Sequence, residues 1–517
     1  MGVMYKKNSR VQCEFAPFDL GFNGRLRKDN RWVIKASLVP WDIFEPEYAK
    51  LFPSEEGRPA FPFRVALGTL IIKEELGISD DETVLQIQEN PYLQYFLGFT
   101  SYQTEVPFDG STLVYFRKRF KWNGLSTLND LLVNKAEAVQ DKHKPKPKGG
   151  SSQRPASTSE QSKNKEQNDG VLKVDATCTP ADIRYPLDLS LLDEARRDTE
   201  KIIDIQYEQS GSITRKPRTY RIQARQDFLA VIRKRRKSAR EIRKAIGKQL
   251  RYLKRNLMHI KEMVLSGSSG VVTVYSPLKA LSKEQYRNLL VIHELYRQQK
   301  EMYDNRKHQV DDRIVSIRQP HVRPIVRGKA RTNVEFGAKV SMSVINNFVH
   351  VDRISFDAYN ECGDLPAQVE AYKRRTGKYP ESVLADKIYR TRENYRYCSN
   401  LEIHLAGPKL GRPYQEGSHR SRVQKKSQRQ DEIDRVEIEG RFGVLKRRYT
   451  WDLIKARLVD TSETWIMIAI IVANLNQAYR AILSILLLYF ALFHTEIGRK
   501  LTRLLRQWMF MNRRCFD

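Results

Sequence analysis

Along the first 140 positions, hydrophobic residues recur at helical spacing. Val65-Ala-Leu-Gly-Thr-Leu-Ile-Ile-Lys-Glu-Glu-Leu76 repeats apolar side chains every three or four positions, and Gly77 follows as a C-cap. Ser79-Asp-Asp-Glu82 reads as a capping box opening the next helix, with Val84, Leu85 and Ile87 turned inward. A further helix starts near Asp109-Gly-Ser-Thr112 and runs to Phe120, its aromatic residues toward a core and Arg117, Lys118 and Arg119 outward. This predicts an all-α N-terminal domain over 1–140. The stretch 141–170 includes Lys142-His-Lys-Pro-Lys-Pro-Lys-Gly-Gly150 and then Ser, Gln, Lys and Asn without apolar anchors. Nothing there offsets the entropy of ordering, so it is expected to be a disordered linker.

After Gly170 the period changes. Val171-Leu-Lys-Val-Asp-Ala-Thr-Cys178 reads as a short buried strand. A very basic helical section follows, over about 188–310. Leu229, Ile232, Ile242, Ile246, Leu250, Leu253 and Leu257 form its apolar stripe across a basic helix at 220–260. Strands return at 334–344 and 348–356 around Asn346-Asn347, a pair suited to a tight hairpin turn. Helix 364–376, strand 382–385, helix 391–399 and strand 402–405 come next. A polar basic loop over 408–431 precedes helices at 432–448 and 452–478. The order is that of an α/β domain at 171–480, with a long helical insertion at about 188–330 and a helical, basic tail at 481–517. The apolar run Ala481–Phe493 is shorter than the roughly 20 residues a membrane span needs, so it is expected to be a buried helix.

The chain has 517 residues, with 91 Lys and Arg against 61 Asp and Glu, a net charge of +30. A surplus of this size calls for an anionic partner, with nucleic acid first. Five scattered cysteines without a C-x-x-C pair point away from disulfides and structural zinc, and the N-terminus lacks the apolar segment of a secretory signal. A cytoplasmic protein is expected, without a membrane or small-molecule substrate as its partner.

Three acids stand out by position. Asp175 lies in the first strand, Asp386 just beyond the strand at 382–385, and Glu439 on the helix after the last strand. Carboxylates at strand ends and on an adjacent helix can converge on one point, and hard divalent cations prefer such oxygen ligands. Two magnesium ions about 3.5–4 Å apart would clamp the attacking and leaving oxygens of a phosphodiester. Arg435 and Lys446 fall within about 40° of Glu439 around the helix, whereas Glu437 lies about 200° away.

These residues resemble those of bacterial insertion-sequence transposases of the DDE class, whose catalytic core is RNase H-like. Val174-Asp-Ala-Thr177 with Pro180-Ala-Asp-Ile-Arg-Tyr-Pro186 is similar to the first-Asp block, and Leu384-Ala-Asp-Lys-Ile-Tyr389 to the second. Arg435-x3-Glu439-x6-Lys446 is similar to the third, whose pattern is Tyr-x2-Arg-x3-Glu-x6-Lys; Glu432 stands where that pattern has tyrosine. Ala66–Phe120 resembles the N-terminal helical domain of the same proteins. The resemblance implies an α/β RNase H-like core in which Asp175, Asp386 and Glu439 bind two Mg²⁺ ions, with Mn²⁺ as a substitute. Arg435 and Lys446 would hold the DNA backbone, and the N-terminal helices and the basic helix would bind terminal inverted repeats. For those DNA contacts the candidates are Arg117, Lys118 and Arg119, and Arg235, Arg236 and Arg243. It also implies double-stranded DNA as partner, a homodimer in the DNA complex, and strand cleavage and transfer as the chemistry. The alternatives are another RNase H-like nuclease, such as a junction resolvase, and a catalytically inert DNA-binding protein.

Overall fold

The computed structural model describes residues 25–52, 59–141, 168–209, 215–266, 277–326, 334–407 and 419–512. Most of the expected linker, the stretch 142–167, therefore lies outside the described residues, as do 408–418 of the expected basic loop and 513–517 of the tail.

Among the described residues, seven helices come first: α1 (Arg31–Leu38), α2 (Trp41–Ala49), α3 (Phe63–Leu76), α4 (Asp80–Glu89), α5 (Pro91–Phe96), α6 (Thr112–Arg119) and α7 (Trp122–Asp141). Their signals are local. Gly77 ends α3 at φ +67°, and the Ser79 hydroxyl accepts a hydrogen bond from the Glu82 N–H at the start of α4. Val84 and Ile87 are buried, but Leu85 is exposed, contrary to the expected inward face.

Strand β1 (Val171–Pro180) then leads into four helices, α8 (Asp188–Gln209), α9 (Arg221–Ile232), α10 (Ala239–Ser266) and α11 (Lys283–Asn305). The expected single basic helix over 220–260 is thus two helices. Arg233–Ser238 form the turn between them, and Ser238 caps α10, exchanging hydrogen bonds with Glu241. A serine followed three residues later by glutamate is a start signal that the run of charges obscures. The helices enclose a core of their own, including Leu192, Ile203, Leu253, Leu257, Ile292 and Leu295.

Next come β2 (Arg323–Val326), β3 (Val334–Ile345), β4 (Phe348–Ser355), α12 (Leu365–Thr376), β5 (Ser382–Ala385), α13 (Arg392–Asn400) and β6 (His404–Leu405). They form one mixed sheet in the order β2-β3-β1-β5-β6, with β4 also paired to β3. β1 is antiparallel to β3 and parallel to β5, β5 is parallel to β6, and β3–β4 is a hairpin. Asn346 and Asn347 adopt φ of 49° and 70°, as the tight turn requires.

The last two helices depart from the expectation. Helix α14 spans His419–Arg448, so the half of the basic loop that is described is helical. Its Lys, Arg and Gln residues are good helix formers that carry no apolar stripe to announce the helix. Helix α15 runs unbroken from Val459 to Asn512, joining 459–478 of the expected helix to 481–512 of the tail, and Leu483 and Leu487 of the apolar run expected to be buried are exposed. At about 1.5 Å per residue it is about 80 Å long. Its segment Val459–Ile485 is long and apolar enough to cross a membrane, yet most of it is buried in the protein.

The sheet is covered on both faces. Leu172, Val174, Val383 and Ala385 pack with Leu365 and Val369 of α12 and Cys398 of α13. Val340, Met342 and Val344 face the other way, into a core shared with Ile438 and Leu445 of α14, Ile466–Val472 of α15 and the N-terminal helices. The described N-terminal helices and the sheet region thus share one hydrophobic core.

Glu74 tests that shared packing. It is buried on α3, and both carboxylate oxygens accept from the Thr450 hydroxyl, at 2.8 and 3.1 Å, between α14 and α15. Burial pushes its carboxyl up to about 7 from an ordinary 4.5, against the opposing pull of Thr450 and Lys73. The native state therefore holds this proton more tightly than the unfolded chain does. The resulting stability is present in acid and lost as pH rises from about 4.5 to about 7. Glu74→Gln is expected to gain stability over the wild type at about pH 8, by at most about 3 kcal/mol, and little at about pH 5. Thermal melting of both proteins at the two pH values checks this.

Candidate functional site

The strand register brings two of the three acids together. Val174 of β1 pairs with Ala385 of β5, so the next residues on these parallel strands, Asp175 and Asp386, stand side by side. Neighbouring strands lie about 4.8 Å apart. Asp175 is half-buried, and its carboxylate accepts from the Ala176 N–H at 2.7 Å. Asp386 is exposed at the point where β5 ends. It caps the short 3-10 turn Lys387–Tyr389, accepting from the Lys387 N–H at 2.7 Å. Tyr389, in the same turn, is fully buried, and its hydroxyl is pushed above its ordinary range by burial and then by the charge of Asp175.

Helix α14 crosses the sheet on the face that Asp175 shares with Lys173. Asp431 lies 3.4 Å from His404 of β6, Glu437 forms an ion pair with Lys173 of β1, and Arg441 reaches Asn347 of the hairpin turn at 3.3 Å. Glu437 and Arg441 define one flank, whereas Asp431 lies about 120° around the helix from Glu437. Ile438, Phe442 and Leu445 are buried beneath the helix. Arg435, Glu439 and Lys446 occupy the other flank, and Arg435 forms an ion pair with Glu439 at 2.9 Å. The structure thus sets Asp175 beside Asp386 and carries Glu439 on the helix that crosses them. Among the described residues, no three His, Cys, Asp or Glu side chains stand close enough together to hold a metal ion.

The candidate DNA contacts divide. Arg117 does not point outward: it makes a two-pronged bond to Asp80 at 3.1 and 2.6 Å, and Lys73 joins the same carboxylate at 2.9 Å. Its side chain is 12% exposed, which is too little for an outward-facing phosphate contact. The capping run of acids at the start of α4 supplies its partner, a tertiary contact that local spacing does not reveal. Lys118 and Arg119 are exposed; Arg119 also lies over the Phe52 ring, 4.7 Å from its centre. Arg235 and Arg236 are exposed in the α9–α10 turn. Arg243 is half-buried, stacked 4.1 Å over the Tyr303 ring of α11, so it packs two helices together. The exposed cations of α10 are Arg240, Lys244, Arg251, Lys254 and Lys261, of which the first four fall within about 40° of one line along the helix.

Two residues at the site escape sequence reasoning. Lys173 looks like an ordinary strand lysine, although its separation of two from Asp175 places it on the same face. Tyr389 reads as part of a motif, with no sign that its hydroxyl is buried.

A helical N-terminal region joined to a mixed sheet, with one acid inside a strand and another just past the end of its parallel neighbour, is consistent with a DDE transposase. Comparison with known proteins adds matches over two parts of the chain. Residues 383–476 match the family described as transposase DDE domain, and residues 21–119 match a transposase domain, DUF772. The two matches support an insertion-sequence DDE transposase. The first contains Asp386 and Glu439 and begins after Asp175. The chain is also 38% identical over 93 residues to the uncharacterized protein ORF8 in the nfe locus of Rhizobium meliloti, a match covering 18% of this chain and 44% of that protein. The chain thus spans less than half the length of that relative. No solved structure matches the chain.

The Arg117 pairing yields a test. Arg117→Ala leaves Asp80 to Lys73 alone and is expected to destabilise the protein by about 1–3 kcal/mol. Lys118→Ala is expected to change stability by less than about 0.5 kcal/mol. Denaturant unfolding of the two variants measures both.

Proposed function

We propose that this protein is a transposase that binds the ends of its own mobile element and catalyses metal-dependent strand cleavage and strand transfer. The observation that carries the proposal is the pairing of Val174 with Ala385, which makes neighbours of Asp175 and Asp386 although 210 positions separate them in sequence. The strand order β4-β3-β1-β5-β6, antiparallel through β1 and parallel beyond it, supports an RNase H-like core.

DDE transposases generally use divalent metals, and the donors here suit a hard cation, since carboxylate oxygens are its preferred ligands. Asp175 and Asp386 would hold Mg²⁺, or Mn²⁺ in its place. Glu439 would complete the set by exchanging Arg435 for metal. Its position supports this: the flank of α14 bearing Glu437 and Arg441 contacts Lys173 and the hairpin turn, and Glu439 lies on the opposite flank. Once bound, the metal would polarise the phosphodiester and lower the pKa of the attacking water. Arg435, released from Glu439, and Lys446 would then grip the backbone phosphates beside the cleaved bond.

Double-stranded DNA would run across the exposed cations. Lys118 and Arg119 on α6, Arg235 and Arg236 in the α9–α10 turn, and the line Arg240, Lys244, Arg251 and Lys254 on α10 are the candidate contacts. Two element ends must be joined, so a homodimer would assemble on DNA, in the cytoplasm.

Asp175→Asn, Asp386→Asn and Glu439→Gln are each expected to reduce cleavage of a duplex bearing the element's end by at least about 100-fold. Affinity for that duplex should change less than about threefold. Single-turnover cleavage with Mg²⁺ or Mn²⁺, alongside a binding titration, makes the test. Normal cleavage by Asp386→Asn would refute the assignment. A wild type that binds DNA but cuts none, with either metal, would make the protein an inert binder.

A further inference from the structure

The acids of the site reside on two kinds of support. Asp175 lies in β1 and Asp386 directly follows β5, set beside each other by the pairing of Val174 with Ala385. Glu439 rides on α14, a helix that joins the sheet only through side chains. A shift of that helix along its axis or about it would displace Glu439 while leaving the two aspartates in place. Misplacement of a reacting group by about 1 Å can reduce a rate by about 100-fold. Something must therefore set the helix against the strand.

Two positions before each acid stand the partners of one ion pair. Lys173 precedes Asp175 on β1, and Glu437 precedes Glu439 on α14; Lys173 and Glu437 are bonded to each other. The pair is 18% and 26% exposed, so it is more sheltered from water than a surface pair, and its attraction is correspondingly less screened. Arg441, one turn further on, approaches the same Glu437 at 3.5 Å and extends to Asn347 of the hairpin turn and, at 3.4 Å, to Gln477 of α15. The charge of Glu437 is thus held from the strand on one side and from its own helix on the other. Beneath it, Ile438 is fully buried, so the helix is seated by packing and oriented by charge. Apolar packing alone is tolerant of sliding, whereas an ion pair with a fixed strand residue specifies one position along the helix.

We infer that Lys173 and Glu437 form a clasp that sets the position of Glu439 relative to Asp175 and Asp386, making both of them positioning residues for strand cleavage. This rests on the transposase reading given above. The pair touches no substrate itself. Its effect would reach the chemistry through the rotation and register of α14.

The experiment is a double-mutant cycle on the full chain, with Lys173→Met, Glu437→Gln, the double variant and Lys173→Arg. Three quantities are read: single-turnover cleavage of an element-end duplex at saturating DNA, affinity for that duplex, and the Mn²⁺ concentration at half-maximal cleavage. Lys173→Met and Glu437→Gln should each slow cleavage about tenfold or more and raise the Mn²⁺ requirement, with DNA affinity within about twofold of wild type. The double variant should be no slower than the worse single one, because one interaction is lost in all three. Lys173→Arg keeps the charge and should stay within about threefold of wild type. Thermal melting identifies any variant whose loss reflects unfolding, and Lys173→Arg then carries the comparison. Wild-type cleavage by Lys173→Met, fully multiplicative losses in the double variant, or equal losses in Lys173→Met and Lys173→Arg would each overturn the clasp while leaving the transposase reading intact. A wild type that cleaves nothing would overturn the transposase reading itself, and the clasp's role with it.

Discussion

Asn474, in the middle of α15, takes both hydrogen-bonding groups of the Val349 backbone on β4: its amide N–H₂ donates to the carbonyl at 2.7 Å and its oxygen accepts from the N–H at 3.0 Å. The same amide donates to Asn129 of α7 at 2.8 Å, and Asn129 donates to the Val349 carbonyl at 3.0 Å. All three residues are buried, so each unpaired group would carry a desolvation cost of about 1–3 kcal/mol. This contact unites the sheet, the N-terminal helices and the last helix. Around it, Asp130 of α7 pairs with His350 at 2.6 Å and with Arg375 of α12 at 3.2 Å. Arg375 also holds Asp352 at 3.0 Å. Although Asp130 is half-buried, the hydrogen bond with His350 and the charge of Arg375 keep its carboxyl below the usual range. The N-terminal helices and the sheet region cannot move as independent bodies without exposing this network.

Much of the sheet was legible in the sequence. β5 ends at Ala385 as its pattern predicts, and the Asn346-Asn347 turn adopts the expected positive φ. Short strands flanked by turn residues announce themselves locally. The union of the two regions was not legible. It depends on Asn129, Asn474, His350 and Asp130, polar residues that in a sequence suggest surface, and on the long-range packing of α15. The start of α14 was missed for the opposite reason: its first residues favour helix but bury little, so periodicity gives no signal. At the site, the side-by-side placement of the two aspartates follows from parallel pairing that no spacing reveals. Arg117 shows the converse failure, in which a cation at a basic helix end becomes an internal partner of Asp80.

The positive surplus divides in the same way. Arg196, 1% exposed, lies between Asp193 at 2.6 Å and Glu200 at 2.5 Å in the insertion's core, and Gln249 joins it at 3.2 Å. Lys35 is equally buried, paired with Glu75 at 3.0 Å. These cations stabilise helix packing and add nothing to the field outside. The charge available to an anionic partner is therefore narrower than +30 suggests, and among the described residues it includes exposed cations on α6, in the α9–α10 turn, along the outer line of α10 and at the start of α14.

The helical insertion leaves the sheet after Pro180 and rejoins it at Arg323, and both residues pair with the same position, Gly337 of β3. A Cβ at Gly337 would lie 2.0 Å from the Thr179 carbonyl oxygen, so the backbones meet there without room for a side chain. Departure and return at one point make the insertion a branch grafted onto the sheet, closed at its own base. Such a branch can lengthen, shorten or be exchanged without altering the path of the strands that carry the acids. Under the proposed function, changes in DNA specificity made in this branch would be mechanically separated from the chemistry at the acids.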